Sequence, residues 1–143
     1  MGENHDNKPP HQWCVRVYYE DTDCGGVVYH TAYLRFMERA RTEWLRAIGM
    51  EQNRLATDWD RLFVVRGLGI DYHRPARLDD ELAITSTVRP RGRTRLLFEQ
   101  AAWRGEPPAI CCRGRVEVVC IRASDGRPCG FPERLRAELT DVG

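Results

Sequence analysis

The segment from Glu20 to His30, EDTDCGGVVYH, sets a carboxylate, two glycines and an imidazole directly ahead of a helical pattern. Asp23 can serve there as a base or as a nucleophile. The first backbone N–H groups of a helix have no partner within it and carry the positive end of its dipole. A carbonyl placed against them meets donors already arranged for the charge that builds on its oxygen when it is attacked. Gly25 and Gly26 allow the backbone to approach a bound group closely. Against this stands the ordinary use of aspartate in such loops as a turn residue, which spacing alone favours.

Other residues qualify less sharply. Asp21 reads as a loop-shaping carboxylate. His30 either orients a substrate or interacts with Asp23, or is a partly buried histidine that starts the helix; the two readings weigh equally. Glu38, two turns into the helix, is the reserve carboxylate, although an ion pair with Arg41 at i+3 is the stronger reading. Arg89, Arg91, Arg93 and Arg95 surround one turn. Guanidinium groups suit phosphates, and a solvated charged hairpin explains them equally well. His73 reads as a structural strand residue. Tyr29, Tyr33, Phe36, Trp44 and Trp59 suit either an aromatic or a short aliphatic group.

The elements that must position these residues follow from pattern. Residues 1–12 are polar with Pro9-Pro10 and read as a disordered tail; residues 13–143 read as a single domain. Cys14 to Tyr19 is a short β-prone run. Thr31 is the expected N-cap of a helix over Ala32 to Ile48, with Leu34, Met37, Ala40, Trp44 and Ile48 at helical spacing and Gly49 as its stop. Strands are expected over Glu81–Arg89, Arg93–Arg104 and Ala109–Arg122. Inward faces are expected at Leu82, Ile84, Ser86 and Val88, at Leu96, Phe98, Gln100 and Ala102, and at Ile110, Cys112, Val116, Val118 and Cys120. Residues 90–92 and 105–108 are the expected turns. Pro132 can open a short terminal helix. One long helix followed by a run of strands is an α+β pattern, an antiparallel sheet on one helix.

The 143 residues fit one domain, and a net charge of +1 gives no field that favours nucleic acid. Of the 22 basic residues only Lys8 is a lysine, a bias read as compositional. There is no secretory h-region and no transmembrane run, so the six cysteines are expected reduced and the protein cytoplasmic. No Cys or His spacing suits zinc. Cys24 adjoins Asp23 and would need an activating partner to act as a nucleophile.

RVYYEDTDCGGVVYHTAYLRFMERARTEWL (residues 16–45), GIDYHRPARLDDELAITSTV (69–88) and GRPCGFPERLRAEL (126–139) together resemble the 4-hydroxybenzoyl-CoA thioesterase family. The likeness is closest to its bacterial Tol–Pal-associated acyl-CoA thioesterase branch. It implies a hot-dog fold, an antiparallel sheet wrapped around one long central helix. It implies hydrolysis of an acyl-CoA to free acid and CoA, with Asp23 as general base or nucleophile and no metal or organic cofactor. In the family the oxyanion donor is a backbone N–H near the helix start, which maps onto His30. Gly26, Val27, Tyr29, Arg89, Arg91 and Arg93 are the expected substrate contacts. A homodimer or homotetramer with interfacial sites is implied, with cell-envelope or lipid-synthesis proteins as further partners. Cys24 stands where the family often has Ala, Pro or Met, and Thr31 where Asn or Ala is common. Two alternatives remain: an enoyl-CoA hydratase or dehydratase on the same fold, and an acyl-CoA-binding module without catalysis. The loop lacks the Asn-Pro and the tighter Asp-to-His spacing of such hydratases.

Overall fold

The computed structural model describes residues 9–140. Of the tail expected over residues 1–12, residues 1–8 lie outside the described residues, and His11 and Gln12 already belong to the first strand. The strands are β1 (His11–Arg16), β2 (Arg61–Tyr72), β3 (Glu81–Arg91), β4 (Arg95–Arg104) and β5 (Ala109–Arg122). They form one antiparallel sheet in the order β1-β3-β4-β5-β2. The helices are α1 (Ala32–Ala47), α2 (Leu55–Trp59) and α3 (Glu133–Thr140). This is the hot-dog arrangement, with α1 as the one long helix inside the sheet. Among the described residues no helix is long and apolar enough to cross a membrane.

The inward faces of β3, β4 and β5 fall where alternation puts them. Leu82, Ile84 and Ser86 are buried, as are Leu96, Phe98, Gln100 and Ala102. Two clusters fill the space beneath α1. The first half of the helix packs Tyr33, Phe36 and Met37 against Val17, Leu82 and Ile84. The second half packs Trp44 and Leu45 against Phe98, Val118 and Leu135. The buried stripe of α1 thus runs through Tyr33 and Phe36, and Leu34 is only half-buried beside it. Gly114 lets the helix approach β5, because a Cβ there would lie 2.8 Å from the Met37 sulfur.

Three local expectations need correction. Thr31 is already in helical conformation and its side chain caps nothing; the Ala32 N–H is taken instead by the Tyr29 carbonyl at 2.8 Å. Pro90 lies inside β3, paired with Leu96, so the turn falls later, between Arg91 and Arg95. β1 pairs with β3 only as far as Ser86. Beyond that point β3 is an edge, where a proline's missing N–H is tolerated. His73 lies just past the end of β2 and is exposed. The short segment around Trp59 is the helix α2, too brief to show a period. Gly49 has φ of 88° and ends α1 as expected.

β2 is the longer of the two edge strands. Its free edge carries Leu62, Val64, Val65, Leu68 and Tyr72, all among the exposed large apolar residues. Most of α1 lies over β1, β3 and β4. On the inner face of β2, Phe63 and Ile70 pack against the two clusters, and Val65 and Leu68 between them stay exposed beside the helix.

Candidate active site

The loop before α1 is a tight hairpin. Thr22 and Val28 form an antiparallel bridge, the Asp23 N–H donates to the Val27 carbonyl at 2.9 Å, and the Gly26 N–H donates to the Asp23 carbonyl at 3.1 Å. Gly26 takes φ of 82°, which a side chain would resist. Asp23 Oδ1 accepts from the Gly25 N–H at 2.8 Å and more loosely from the Val27 N–H at 3.4 Å. The turn-forming role of this aspartate is therefore real. It occupies one carboxylate oxygen and leaves Oδ2 without a partner among the described residues, on an exposed side chain.

Asp21 fixes this hairpin to the rest of the molecule. It is buried, its Oδ2 accepts from the Tyr18 N–H at 2.9 Å, and its Oδ1 faces Arg35 of α1 at 3.5 Å. Its backbone carbonyl accepts from the Tyr29 N–H. The other flank is held by residue 76: the Val28 N–H donates to the Ala76 carbonyl, and the Ala76 N–H donates to the Tyr33 hydroxyl at 3.2 Å. Burial pushes the Tyr33 phenol up to about 12, so it stays neutral in this role.

At the helix start two successive peptide groups are anchored by their carbonyls. The Tyr29 carbonyl accepts from Ala32, and the His30 carbonyl accepts from the Tyr72 hydroxyl at 2.7 Å. A trans peptide points its N–H opposite to its carbonyl. The N–H groups of His30 and Thr31 are thus turned away from those anchors, and neither has an acceptor among the described residues. The His30 ring lies on Tyr29 at 4.4 Å between centroids and meets Tyr72 edge-on at 6.4 Å. Sequence reasoning missed Tyr72. Its signal was an aromatic residue at the end of an edge strand, inside the segment 69–88 that carried the resemblance.

Tyr72→Phe is expected to remove one hydrogen bond and loosen the His30–Thr31 peptide. A loss of about 1 kcal/mol would lower kcat roughly fivefold with the fold intact. Steady-state kinetics beside a thermal melt would check this.

The expected residues do not all meet within one chain. Gly26, Val27, Tyr29, His30 and Asp23 share one end of the sheet, level with Tyr72, which pairs with Cys112 of β5. Arg95 pairs with Val119, seven residues further along β5. At the rise of an antiparallel strand that is about 23 Å away. Arg89 is 2.9 Å from Glu99, and Arg95 is 3.4 Å from Glu117. Glu38 and Arg41 do not form the expected ion pair; Arg41 reaches inward to Gln100 instead. All six cysteines are free, and Cys24 is exposed at the loop tip.

A family model described as the thioesterase superfamily matches residues 25–111. The chain belongs to the thioesterase superfamily. Among this thioesterase's relatives is acyl-CoA thioesterase YbgC of Haemophilus influenzae, 43% identical over 123 residues, covering 86% of this chain and 89% of the relative. Acyl-CoA thioester hydrolase YbgC of Escherichia coli O6:H1 is 42% identical over 128 residues, covering 90% and 94%. The crystal structure of a probable thioesterase from Bartonella henselae superposes with a TM-score of 0.79 at 36% identity, covering 86% of this thioesterase and 99% of that chain.

Proposed function

We propose that this enzyme hydrolyses an acyl-CoA thioester to the free acid and CoA, with Asp23 as general base or nucleophile. The observation that carries this reading is that an Asp23 carboxylate oxygen and the His30 and Thr31 N–H groups at the start of α1 all lack a partner among the described residues. The thioester oxygen sits against the His30 and Thr31 N–H groups, which gain strength as charge develops on it. Asp23 Oδ2 either takes a proton from water, which then attacks the acyl carbon, or attacks that carbon itself to form a mixed anhydride that water opens in a second step; in both routes CoA leaves as the thiol and one water is consumed. The His30 ring lines the site beside Tyr29 and orients the substrate. The acyl-CoA hydrolase names of the YbgC relatives support the same reading. Free cysteines on the surface and in the core suit a reducing, cytoplasmic setting. Release of CoA thiol from acyl-CoA, followed beside the absorbance of an enoyl-CoA, separates hydrolase from hydratase. Loss of the enoyl signal without thiol would overturn the proposal.

The site is completed by a second copy. An exposed apolar edge strand calls for cover, and β2 carries five exposed large apolar residues between Leu62 and Tyr72. Antiparallel pairing of β2 with its copy about the strand centre sets the Tyr72 end of one subunit against the Arg61 end of the other. That end is level with the β3–β4 hairpin, since Val64 and Arg95 both pair with Val119. The arginines of one subunit then serve the CoA phosphates at the other subunit's Asp23, which accounts for their distance from it within one chain. Replacement of Arg91 and Arg93 by Ala is expected to raise KM for acyl-CoA roughly tenfold and to weaken its salt dependence. The same change should leave an acyl-pantetheine, which has no nucleotide, nearly unaffected. Equal effects on both substrates would contradict the assignment.

A further inference from the structure

Arg41 is a charged group for which the chemistry at Asp23 has no use. It lies on α1 about three turns below His30, half-buried, with its guanidinium drawn inward. Nη1 donates to Gln100 Oε1 at 3.1 Å. Gln100 is only 3% exposed, and its amide nitrogen donates to the Met37 carbonyl at 3.0 Å and to Ser86 Oγ at 2.9 Å. Those two acceptors fix the amide so that its oxygen faces Arg41. The guanidinium also lies 5.9 Å from the centre of the Phe98 ring. Among the described residues no carboxylate comes within ion-pair distance of it. Burial lowers the Arg41 pKa, and the more distant Glu38 offsets this only in part.

A cation taken out of water without an anion is costly, and an anionic partner that reached it would relieve that cost. One of the five N–H donors of this fork meets Gln100, which leaves the others for that partner. Two cavities, of about 110 Å³ and 160 Å³, are each lined by both Glu38 and Arg41. Apart from Arg35, which is turned to Asp21, and Gln52, their other walls are apolar: Leu34, Met37, Leu68 and Val116 in one, Trp44, Phe63 and Phe98 among those in the other. Both lie between α1 and the stretch of β2 from Phe63 to Leu68, the strand that ends in Tyr72. From His30 to Arg41 the helix rises about 16 Å, the length of an extended chain of roughly a dozen carbons.

We propose that the space on either side of Arg41 that these two cavities mark holds the far end of the acyl chain, and that Arg41 selects acyl groups that carry a carboxylate there. The inference rests on the acyl-CoA hydrolase reading and names its substrate class. Apolar walls alone would hold a plain fatty chain and would need no guanidinium. A planar fork with free donors matches a carboxylate with two parallel hydrogen bonds. Glu38 is exposed at the rim, where water screens its charge, so the deeper Arg41 dominates the field at the end of the chain.

The test is the ratio of kcat/KM for the ω-carboxy derivative of dodecanoyl-CoA to that for dodecanoyl-CoA itself. The wild-type enzyme is expected to favour the carboxylate by about tenfold or more, as a charge-assisted fork contact implies. Arg41→Met should bring the ratio to one or below, while Arg41→Lys should keep part of it. Adipoyl-CoA and hexanoyl-CoA, too short to reach Arg41, should show no such difference in any variant. A wild-type ratio near one, with both long substrates hydrolysed, overturns the proposal and leaves the hydrolase reading standing. Failure to hydrolyse any of the four overturns both. A third contrary result is equal loss on both long substrates in Arg41→Met, with dissociation of the assembly in sedimentation. That result would give Arg41 to the subunit contact instead.

Discussion

Asp23→Asn is expected to lower kcat on the order of a hundredfold or more, within the span of general-base losses, while KM changes little. The replacement is isosteric. Its remaining oxygen can still accept from the Gly25 and Val27 N–H groups, so the hairpin that starts at Thr22 should form. What disappears is the unpartnered oxygen with its charge and basicity, and that oxygen acts on the transition state rather than on substrate binding. A thermal melt close to wild type, beside steady-state thiol release, makes the comparison clean. A folded variant with near-normal kcat would remove Asp23 from the chemistry. Glu38, whose side chain faces the cavities along α1, would then be the next carboxylate to test.

The paired substitution Leu62→Lys and Val64→Lys is expected to convert the assembly to folded monomer and to cut activity roughly as deeply. Both residues are among the exposed apolar residues of β2, at 40% and 47%, and neither lines a cavity beside α1. Lysines on an edge strand oppose pairing with another strand. The ladder between β2 and β5 is untouched, since Leu62 and Val64 keep their backbone pairing with Ile121 and Val119. Sedimentation gives the assembly and thiol release gives the activity. Activity that recovers as protein concentration rises would tie the loss to dissociation. A stable monomer with full activity would contradict a site shared between subunits.

Much of this arrangement was legible in the sequence. The alternation in residues 81–122 was strong enough to give three strands and their inward faces, because each strand is buried on the helix side. The long helix was equally plain, with its stop at Gly49. What escaped was set by contacts distant in sequence. Tyr72 matters through a hydrogen bond to a carbonyl 42 residues earlier, which no local pattern announces. Arg41 looked like the partner of Glu38 because i+3 spacing invites it, but Gln100, 59 residues away, offers a fixed acceptor in the interior. The arginines at 89–95 were legible as a cluster around one turn, but their distance from the Asp23 loop was not. Strand register puts them at the other end of the sheet. Thr31 had the side chain of a cap, but the turn at Tyr29 had already met the first donor.

The most direct measurement is a single turnover of acyl-CoA in heavy-oxygen water, with the thiol, the acid and the protein all analysed. Hydrolysis at this site predicts one free CoA thiol and one acid for each active site. In the route through direct water attack the heavy oxygen appears in the acid. In the anhydride route the acid takes one Asp23 carboxylate oxygen and the heavy oxygen stays in Asp23, or the reverse, according to which carbonyl water attacks. Acyl-CoA that binds and remains unchanged, with no thiol and no label in acid or protein, would contradict the account.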